Sequence, residues 1–210
     1  MEVIKDLVTS MDTFWDKLWQ VKPWIEIEGE PPEREYKVPH SKMVELQQPM
    51  NCIMCGACVS DCTVLEVDEK FLAPAALAKA YRIVGDPRHA PTKESLINLS
   101  QEGGIWDCTR CMECVQVCPK NVAPMDQIIK LRELAIKEKL TKNVGAKHVI
   151  HFTESVSHSG TVDERTLPVK AAGLGWAIKN TGTAIKAILK GKIKPPLPGT
   201  HSSVAEVKDI

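Results

Sequence analysis

The 210-residue sequence has no apolar run that approaches the roughly 20 residues needed to cross a bilayer. It also lacks an excess of charge of either sign, since 27 Lys and Arg side chains balance 27 Asp and Glu side chains. This balance argues against nucleic acid or an anionic membrane surface as a partner. The first residues, MEVIKDLVTSMD, are acidic and lack the apolar core of a signal peptide. We therefore expect a cytoplasmic protein with no transmembrane segment, associated peripherally with membranes only through its partners.

Motifs that would support catalysis are also missing. The sequence contains no Gly-rich phosphate loop, no nucleophile elbow and no Cys-His dyad. It contains no strong strand signal either. These absences favour a non-catalytic, helical protein.

Apolar residues recur at helical spacing along most of the chain. A short helix is predicted from Ser41 and should stop at Pro49, while Pro74 and Pro124 suit the first turns of longer helices. The PPLPG segment at 195–199 indicates an irregular tail. We predict an all-α chain in three parts: an N-terminal helix and extended arm (1–40), a central helical domain (41–140) and a C-terminal helical extension with its tail (141–210).

Eight cysteines fall into two groups with identical spacing. The groups are Cys52, Cys55, Cys58 and Cys62, and Cys108, Cys111, Cys114 and Cys118, the last followed by Pro119. Three thiolates at two-residue gaps can lie on one tight loop and bind three irons of a cubane, while the fourth points away from that loop. A disulfide framework is disfavoured because no export signal accompanies the cysteines.

This spacing is similar to that of the two-cluster bacterial ferredoxins, in which the fourth cysteine of each group ligates the other cluster. The resemblance implies two [4Fe-4S] clusters with crossed ligand sets. One set is Cys52, Cys55, Cys58 and Cys118, and the other is Cys108, Cys111, Cys114 and Cys62. Zinc bound by Cys-x-x-Cys pairs is an alternative, but it leaves the extra cysteine of each triple unexplained. Clusters that only stabilise the fold are a further alternative.

Other residues suggest weaker hypotheses. His148, His151 and His158 fall on one predicted helix, but no further ligand pattern accompanies them, so surface or packing roles are favoured. Arg110 and Lys120 flank cluster cysteines and would raise a cluster's potential if they lay close to its sulfurs. The tryptophans are interpreted as core or interface residues. They are Trp15, Trp19, Trp24, Trp106 and Trp176.

From Val3 to about Leu140 the order of features resembles the iron-sulfur subunits of succinate dehydrogenases and fumarate reductases. The matching segments are VIKDLV, VKPWI, NCIMCGAC, FLAPAALAKAYRIVGDPR and IWDCTRCMECVQVCPKNVAPMDQII. The resemblance implies that 41–140 is an α-helical ferredoxin-like domain. Three features depart from the common pattern of that family. Cys111 completes the second group, Thr109 stands where a His is common, and TVLE follows Cys62 where the family's quinone pocket has Pro and Trp.

With two complete cysteine groups, the chain also resembles the small two-cluster C subunit of heterodisulfide reductases and of related complexes. The segment KHVIHFTESVSHSGTVDERTLP is similar to one found there. This resemblance implies a relay of electrons between a flavin-bearing subunit and a cysteine-rich, disulfide-active subunit, and it is our first hypothesis. The second is the iron-sulfur subunit of a succinate dehydrogenase or fumarate reductase coupled to quinone. The third is an interaction module whose clusters are structural.

Overall fold

The computed structural model describes residues 1–164 and 166–192, which fold mainly into α-helices. The all-α prediction is therefore confirmed. The chain divides into two compact units, Met1–Leu140 and Thr141–Ile210. The division into three parts that the sequence suggested stays a prediction.

The first unit begins with two short strands and continues with helices of very different lengths. These elements are β1 (Val3–Lys5), β2 (Val8–Thr9), α1 (Asp12–Gln20), α2 (His40–Met50), α3 (Ala57–Ser60), α4 (Thr63–Val67), α5 (Pro74–Val84), α6 (Thr92–Leu99), α7 (Glu113–Gln116) and α8 (Pro124–Lys137). Helices α5 and α8 each begin with a proline, as predicted, because the missing N–H of proline has no helical partner in the first turn.

Helix α5 lies at the centre of the first unit and packs against α1, α2 and α8. Its run of buried alanines keeps the helix surface narrow, so that neighbouring helices approach closely. Leu77 of α5 and Leu131 of α8 are fully buried, as is Phe71 just before α5. Burial of such side chains contributes about 1.5 to 3 kcal/mol each to folding. This core supports the loops that carry the cysteines.

The structure corrects two details of the sequence prediction. First, β1 and β2 form a small antiparallel hairpin that the sequence did not suggest, because strands of three and two exposed residues are too short to show an alternating pattern. Second, α2 does not stop at Pro49 but continues to Met50. Pro49 lies in the last turn, where its missing N–H removes only a terminal hydrogen bond.

The connection between α1 and α2 contains no helix or strand, and it is attached to the core through Glu26. The Glu26 N–H donates to Nδ1 of His89 at 3.2 Å, and the Ala90 N–H donates to the Glu26 carbonyl at 2.9 Å. Nε2 of His89 lies 3.0 Å from the Ser95 hydroxyl. Because Nδ1 accepts a hydrogen bond, the ring is the tautomer that carries its proton on Nε2, and both ring nitrogens are used.

In the second unit the described residues form α9 (Val144–Ser159), α10 (Thr166–Ala172), α11 (Leu174–Lys179) and α12 (Thr181–Leu189). Asn143 begins α9 with a side-chain cap, and Gly160 ends it in the left-handed conformation, with a φ of 74°. The predicted irregular segment at 195–199 lies outside the described residues. Among the helices that the structure describes, none combines the length and apolar character needed to span a membrane.

Candidate metal centre

The two cysteine loops share one backbone conformation. In the first loop Met54 and Gly56 have φ values of 55° and 77°, and in the second loop Arg110 and Met112 have φ values of 60° and 72°. These residues occupy equivalent positions, two after the first cysteine and one after the second. A short helix, α3 or α7, follows each loop and carries its third cysteine. The identical spacing therefore produces the same turn twice.

Four cysteines, three from the first loop and one from the second, line a single cavity in the first unit. They are Cys52, Cys55, Cys58 and Cys118. Pro119, Lys120 and Pro124 line the same cavity, so the structure brings Lys120 to the cysteines that it was predicted to flank. All eight cysteines of the chain are free thiols. A cavity lined by four unbridged thiols fits an iron-sulfur cluster, which such ligands bind.

The other four cysteines are also neighbours. Burial, together with the nearby charges of Cys108, Cys111 and Cys62, raises the pKa of the Cys114 thiol to about 12, although a hydrogen bond from the backbone N–H of Met125 lowers it. Burial likewise raises the pKa of the Cys62 thiol, with contributions from Cys108 and Cys111. The fourth cysteine of the first group therefore lies with the first three of the second group.

The two sets of cysteines lie next to each other. Burial raises the pKa of the Cys58 thiol to about 12, and the strongest charge interaction of that thiol is with Cys114 of the other set. At neutral pH both thiols carry a proton in the absence of metal. Since a metal binds the thiolate, loading either site must release these protons.

Several donors point at the cysteine sulfurs. The Val122 N–H donates to Sγ of Cys118 at 3.3 Å, and the Thr63 hydroxyl donates to Sγ of Cys111 at 3.7 Å. Backbone N–H groups at the start of α4 donate to Cys62, and that of Met125, at the start of α8, donates to Cys114. Hydrogen bonds to ligand sulfurs stabilise negative charge on a cluster and thereby influence its reduction potential.

Each set of cysteines has one member at the surface. Cys55 and Cys111, the second cysteines of the two groups, are exposed. Exposed apolar side chains lie beside them in the loops, including Met54 and Met112. An electron can therefore reach or leave either set from outside the chain over a short path.

The sequence interpretation missed a buried arginine behind the second loop. The guanidinium of Arg132, on α8, donates to the Ile105 carbonyl at 2.7 Å and to the Cys108 carbonyl at 2.8 Å. It also lies 5.5 Å from the centre of the Trp106 ring. The side chain is 5% exposed, and burial lowers its pKa from the ordinary value. A signal was available, because Arg132 lies one helical turn after the buried Ile128, on the apolar face of α8.

A buried glutamine was missed in the same way. Gln127 is fully buried on α8, and its Nε2 donates to the Val122 carbonyl at 3.0 Å and to Oε1 of Gln48 at 3.2 Å. The Gln48 amide in turn donates to the Asn121 carbonyl. These contacts join α2 and α8 to the segment that follows Cys118, and so help to position that cysteine.

Two histidines on α9 make contacts within their own helix. They lie in the second unit, where Nδ1 of His151 is 2.8 Å from a carboxylate oxygen of Glu154 and the ring of His148 stacks on Phe152. Among the described residues, no group of three His, Cys, Asp or Glu side chains converges on a point that could hold a single metal ion. In a cubane each thiolate binds a different iron, so its four ligands need not converge on one point.

Comparison with known proteins identifies the domain that carries these loops. Residues 49–122 match the family model of the 4Fe-4S dicluster domain, so the chain contains a domain of this class. Both cysteine groups lie within the matched residues. The match supports iron-sulfur clusters as the cofactor, and its description suggests two of them.

The curated relatives are larger iron-sulfur subunits. The chain is 30% identical over 198 residues to the 8-methylmenaquinol:fumarate reductase iron-sulfur subunit of Wolinella succinogenes, covering 92% of this chain and 61% of the relative. It is 36% identical over 142 residues to a fumarate reductase iron-sulfur subunit of Mycobacterium tuberculosis, covering 67% of this chain and 58% of the relative. A succinate dehydrogenase iron-sulfur subunit of Coxiella burnetii is 31% identical over 137 residues, covering 65% of this chain and 58% of the relative. The chain thus spans about three fifths of these relatives. Their names favour our second hypothesis over the heterodisulfide reductase hypothesis.

Proposed function

We propose that this chain is the electron-transfer subunit of a complex of the succinate dehydrogenase and fumarate reductase type. In this proposal one [4Fe-4S] cluster is held by Cys52, Cys55, Cys58 and Cys118, and a second by Cys108, Cys111, Cys114 and Cys62. A flavin-bearing subunit exchanges electrons with one cluster, and a quinone-class acceptor exchanges them with the other.

The observation that carries this proposal is the extent of the similarity to the menaquinol-linked fumarate reductase subunit. That alignment covers 92% of the chain and therefore runs well beyond the 74-residue span of the dicluster domain, 49–122. A general ferredoxin would be expected to align only over its cluster loops. The alignment extends into the second unit, so the likeness includes residues with no role in binding clusters.

The chain's own residues supply the environment in which electrons move. A bound cluster would accept and release single electrons through its irons. Cys114 is buried, Cys58 is partly buried, and their sets adjoin, so that an electron passing between clusters would cross protein rather than water. Backbone N–H donors at the starts of α4 and α8 favour added negative charge near Cys62 and Cys114.

The heterodisulfide reductase hypothesis stays as a second candidate because of Cys111. This cysteine completes the second group, and the Thr63 hydroxyl donates to its sulfur. In this alternative the acceptor is a cysteine-rich, disulfide-active subunit instead of a quinone. Anaerobic isolation with associated subunits separates the two candidates: quinol oxidation by the isolated complex supports the first, and thiol-disulfide turnover supports the second.

Crossed ligation can be tested by four single substitutions to serine. If the ligand sets are as proposed, Cys55→Ser and Cys118→Ser alter the same paramagnetic resonance signal of the reduced protein. Cys111→Ser and Cys62→Ser then alter the other signal. If Cys118→Ser instead alters the same signal as Cys111→Ser, each group holds its own cluster and the proposed sets are wrong.

Reversible redox cycling tests the relay itself. We expect both clusters of the anaerobically prepared protein to be reduced and reoxidised without loss of iron. Clusters that cannot be cycled at any accessible potential would support the third hypothesis, an interaction module with structural clusters. A three-iron signal in the native protein would contradict the assignment of two complete cubanes.

A further inference from the structure

The last two described helices expose a large apolar surface. Three residues of α12 (Ile185, Ile188 and Leu189) are between 51% and 81% exposed, and no residue of α12 is buried. On α11, Leu174 and Ile178 are 74% and 75% exposed. Side chains of this kind are normally buried, so a contiguous group of them at the surface marks a site of interaction.

The large apolar residues of α12 lie on one face of the helix, and Lys186 lies beside that face. With 3.6 residues per turn, Ile185, Ile188 and Leu189 cluster on one side of the axis. Lys186 and the C-cap residue Lys190 lie next to each other, about a third of a turn around the axis from that apolar face. The helix is therefore amphipathic, although none of its residues faces a protein core.

The charge around these helices has a single sign. Between Arg165 and Ala205 the sequence contains no Asp or Glu, while lysines recur along it. The lysines within the described residues are Lys170, Lys179, Lys186, Lys190 and Lys192. Because the chain as a whole is formally neutral, the rest of the sequence carries the compensating negative charge. A formal net charge of zero therefore coexists with a basic segment beside the exposed apolar face.

This combination matches a bilayer surface better than other partners. Helices that lie in a membrane interface carry lysines on the polar face and Leu, Ile or Trp on the other, and Trp176 of α11 is 47% exposed. Protein interfaces are depleted in lysine, and phosphate recognition by nucleic-acid-binding proteins gives no role to exposed isoleucines. A second copy of this segment would bring like charges together.

We propose that α11 and α12 bind the surface of a bilayer that contains anionic lipids. The apolar face of α12 enters the boundary between headgroups and acyl chains, and the lysines contact the lipid phosphates. The helices lie along the surface rather than across the bilayer. This inference goes beyond the proposed function, because it holds whether the electron acceptor is a quinone or a disulfide-active subunit.

Flotation of the full-length, cluster-loaded protein with lipid vesicles tests this proposal. We expect binding to vesicles of phosphatidylcholine with phosphatidylglycerol and much weaker binding to phosphatidylcholine alone. Lys186→Gln with Lys190→Gln should lower binding to anionic vesicles roughly 20-fold, and replacement of both by Arg should preserve it. Ile185→Ser with Ile188→Ser should lower it more than about tenfold at any salt concentration.

Matched substitutions in the first unit serve as controls. Lys137→Gln with Lys139→Gln removes the same charge from exposed positions, and Leu7→Ser removes an apolar side chain that is 98% exposed. Both should leave binding unchanged, and cluster absorbance and circular dichroism verify that every variant is folded. Equal binding to neutral vesicles, an equal effect of the control substitutions, or retention by duplex DNA in place of vesicles would overturn the proposal.

Discussion

Replacement of Arg132 tests how the second cysteine loop is held in position. Arg132→Met keeps an unbranched side chain of similar length in the core but removes two hydrogen bonds, to the carbonyls of Ile105 and Cys108. A hydrogen bond from a charged group contributes about 1.5 to 3 kcal/mol, and both carbonyls would lose this donor. We expect the free energy of unfolding to fall by about 3 to 5 kcal/mol, a large part of the roughly 5 to 15 kcal/mol that stabilises a typical domain.

The assay is anaerobic urea denaturation of the cluster-loaded protein, followed by cluster absorbance and far-ultraviolet circular dichroism. Arg82→Met is the control, since Arg82 lies eight residues after the first proline of α5, as Arg132 does after that of α8. Arg82 is only half-buried, and its charge acts on Asp86. Arg82→Met should lower the free energy of unfolding by less than about 1 kcal/mol. If the free energy of unfolding of Arg132→Met lies within about 1 kcal/mol of that of the unchanged protein, the guanidinium does not hold the second cysteine loop in position.

Two further substitutions test the packing around the site and the attachment of the arm. A Cβ at Gly104 would lie 2.1 Å from the Leu99 carbonyl oxygen, so Gly104→Ala should lower the free energy of unfolding by about 3 kcal/mol in thermal or urea denaturation. The control is Gly175→Ala, in open space on α11, which should be neutral or stabilise the protein by up to about 1 kcal/mol. Equal effects of the two would contradict the packing described for Gly104. Burial lowers the pKa of His89 in the folded state, where the neutral ring accepts a hydrogen bond from the Glu26 N–H. The free energy of unfolding should therefore decrease as the pH falls below about 6.5, the pKa of histidine in the unfolded chain. The dependence should disappear in His89→Gln, and its persistence would assign it to other groups.

The sequence predicted the long helices because prolines and apolar spacing define them locally. Pro74 and Pro124 begin helices in both the prediction and the structure. The hairpin of β1 and β2 was missed, since two or three exposed residues carry no periodic signal. Pro49 was assigned to a helix end one residue early, because the sequence does not reveal whether a proline lies after the last turn or inside it.

The grouping of the cysteines was predictable from the sequence, but the surroundings of their sulfurs were not. Spacing alone indicated the two loops. The structure adds that Cys62 lies near the second loop and Cys118 near the first. The donors to the sulfurs come mainly from backbone N–H groups, which any residue supplies, so sequence does not mark them. Arg132 contacts carbonyls that precede or belong to the second loop, a relation that depends on how α8 folds back over it.

The distribution of charge shows a further limit of sequence composition. Equal numbers of acidic and basic residues suggested that no anionic surface would be a partner. The structure shows exposed apolar residues on α12 with Lys186 and Lys190 beside them. The total charge has little effect there, because screening confines each charge interaction to about 10 Å. To predict a partner, the charge therefore has to be counted for each segment and each helix face.

The most direct test of the account is the iron and acid-labile sulfide content of the protein purified without oxygen. Two cubanes held by the eight cysteines predict about eight iron atoms and about eight sulfides per chain. Reduction should then produce the resonance signals of two interacting four-iron clusters. Zinc bound in place of iron, or cysteines paired as disulfides with no inorganic sulfide, would contradict the central claim.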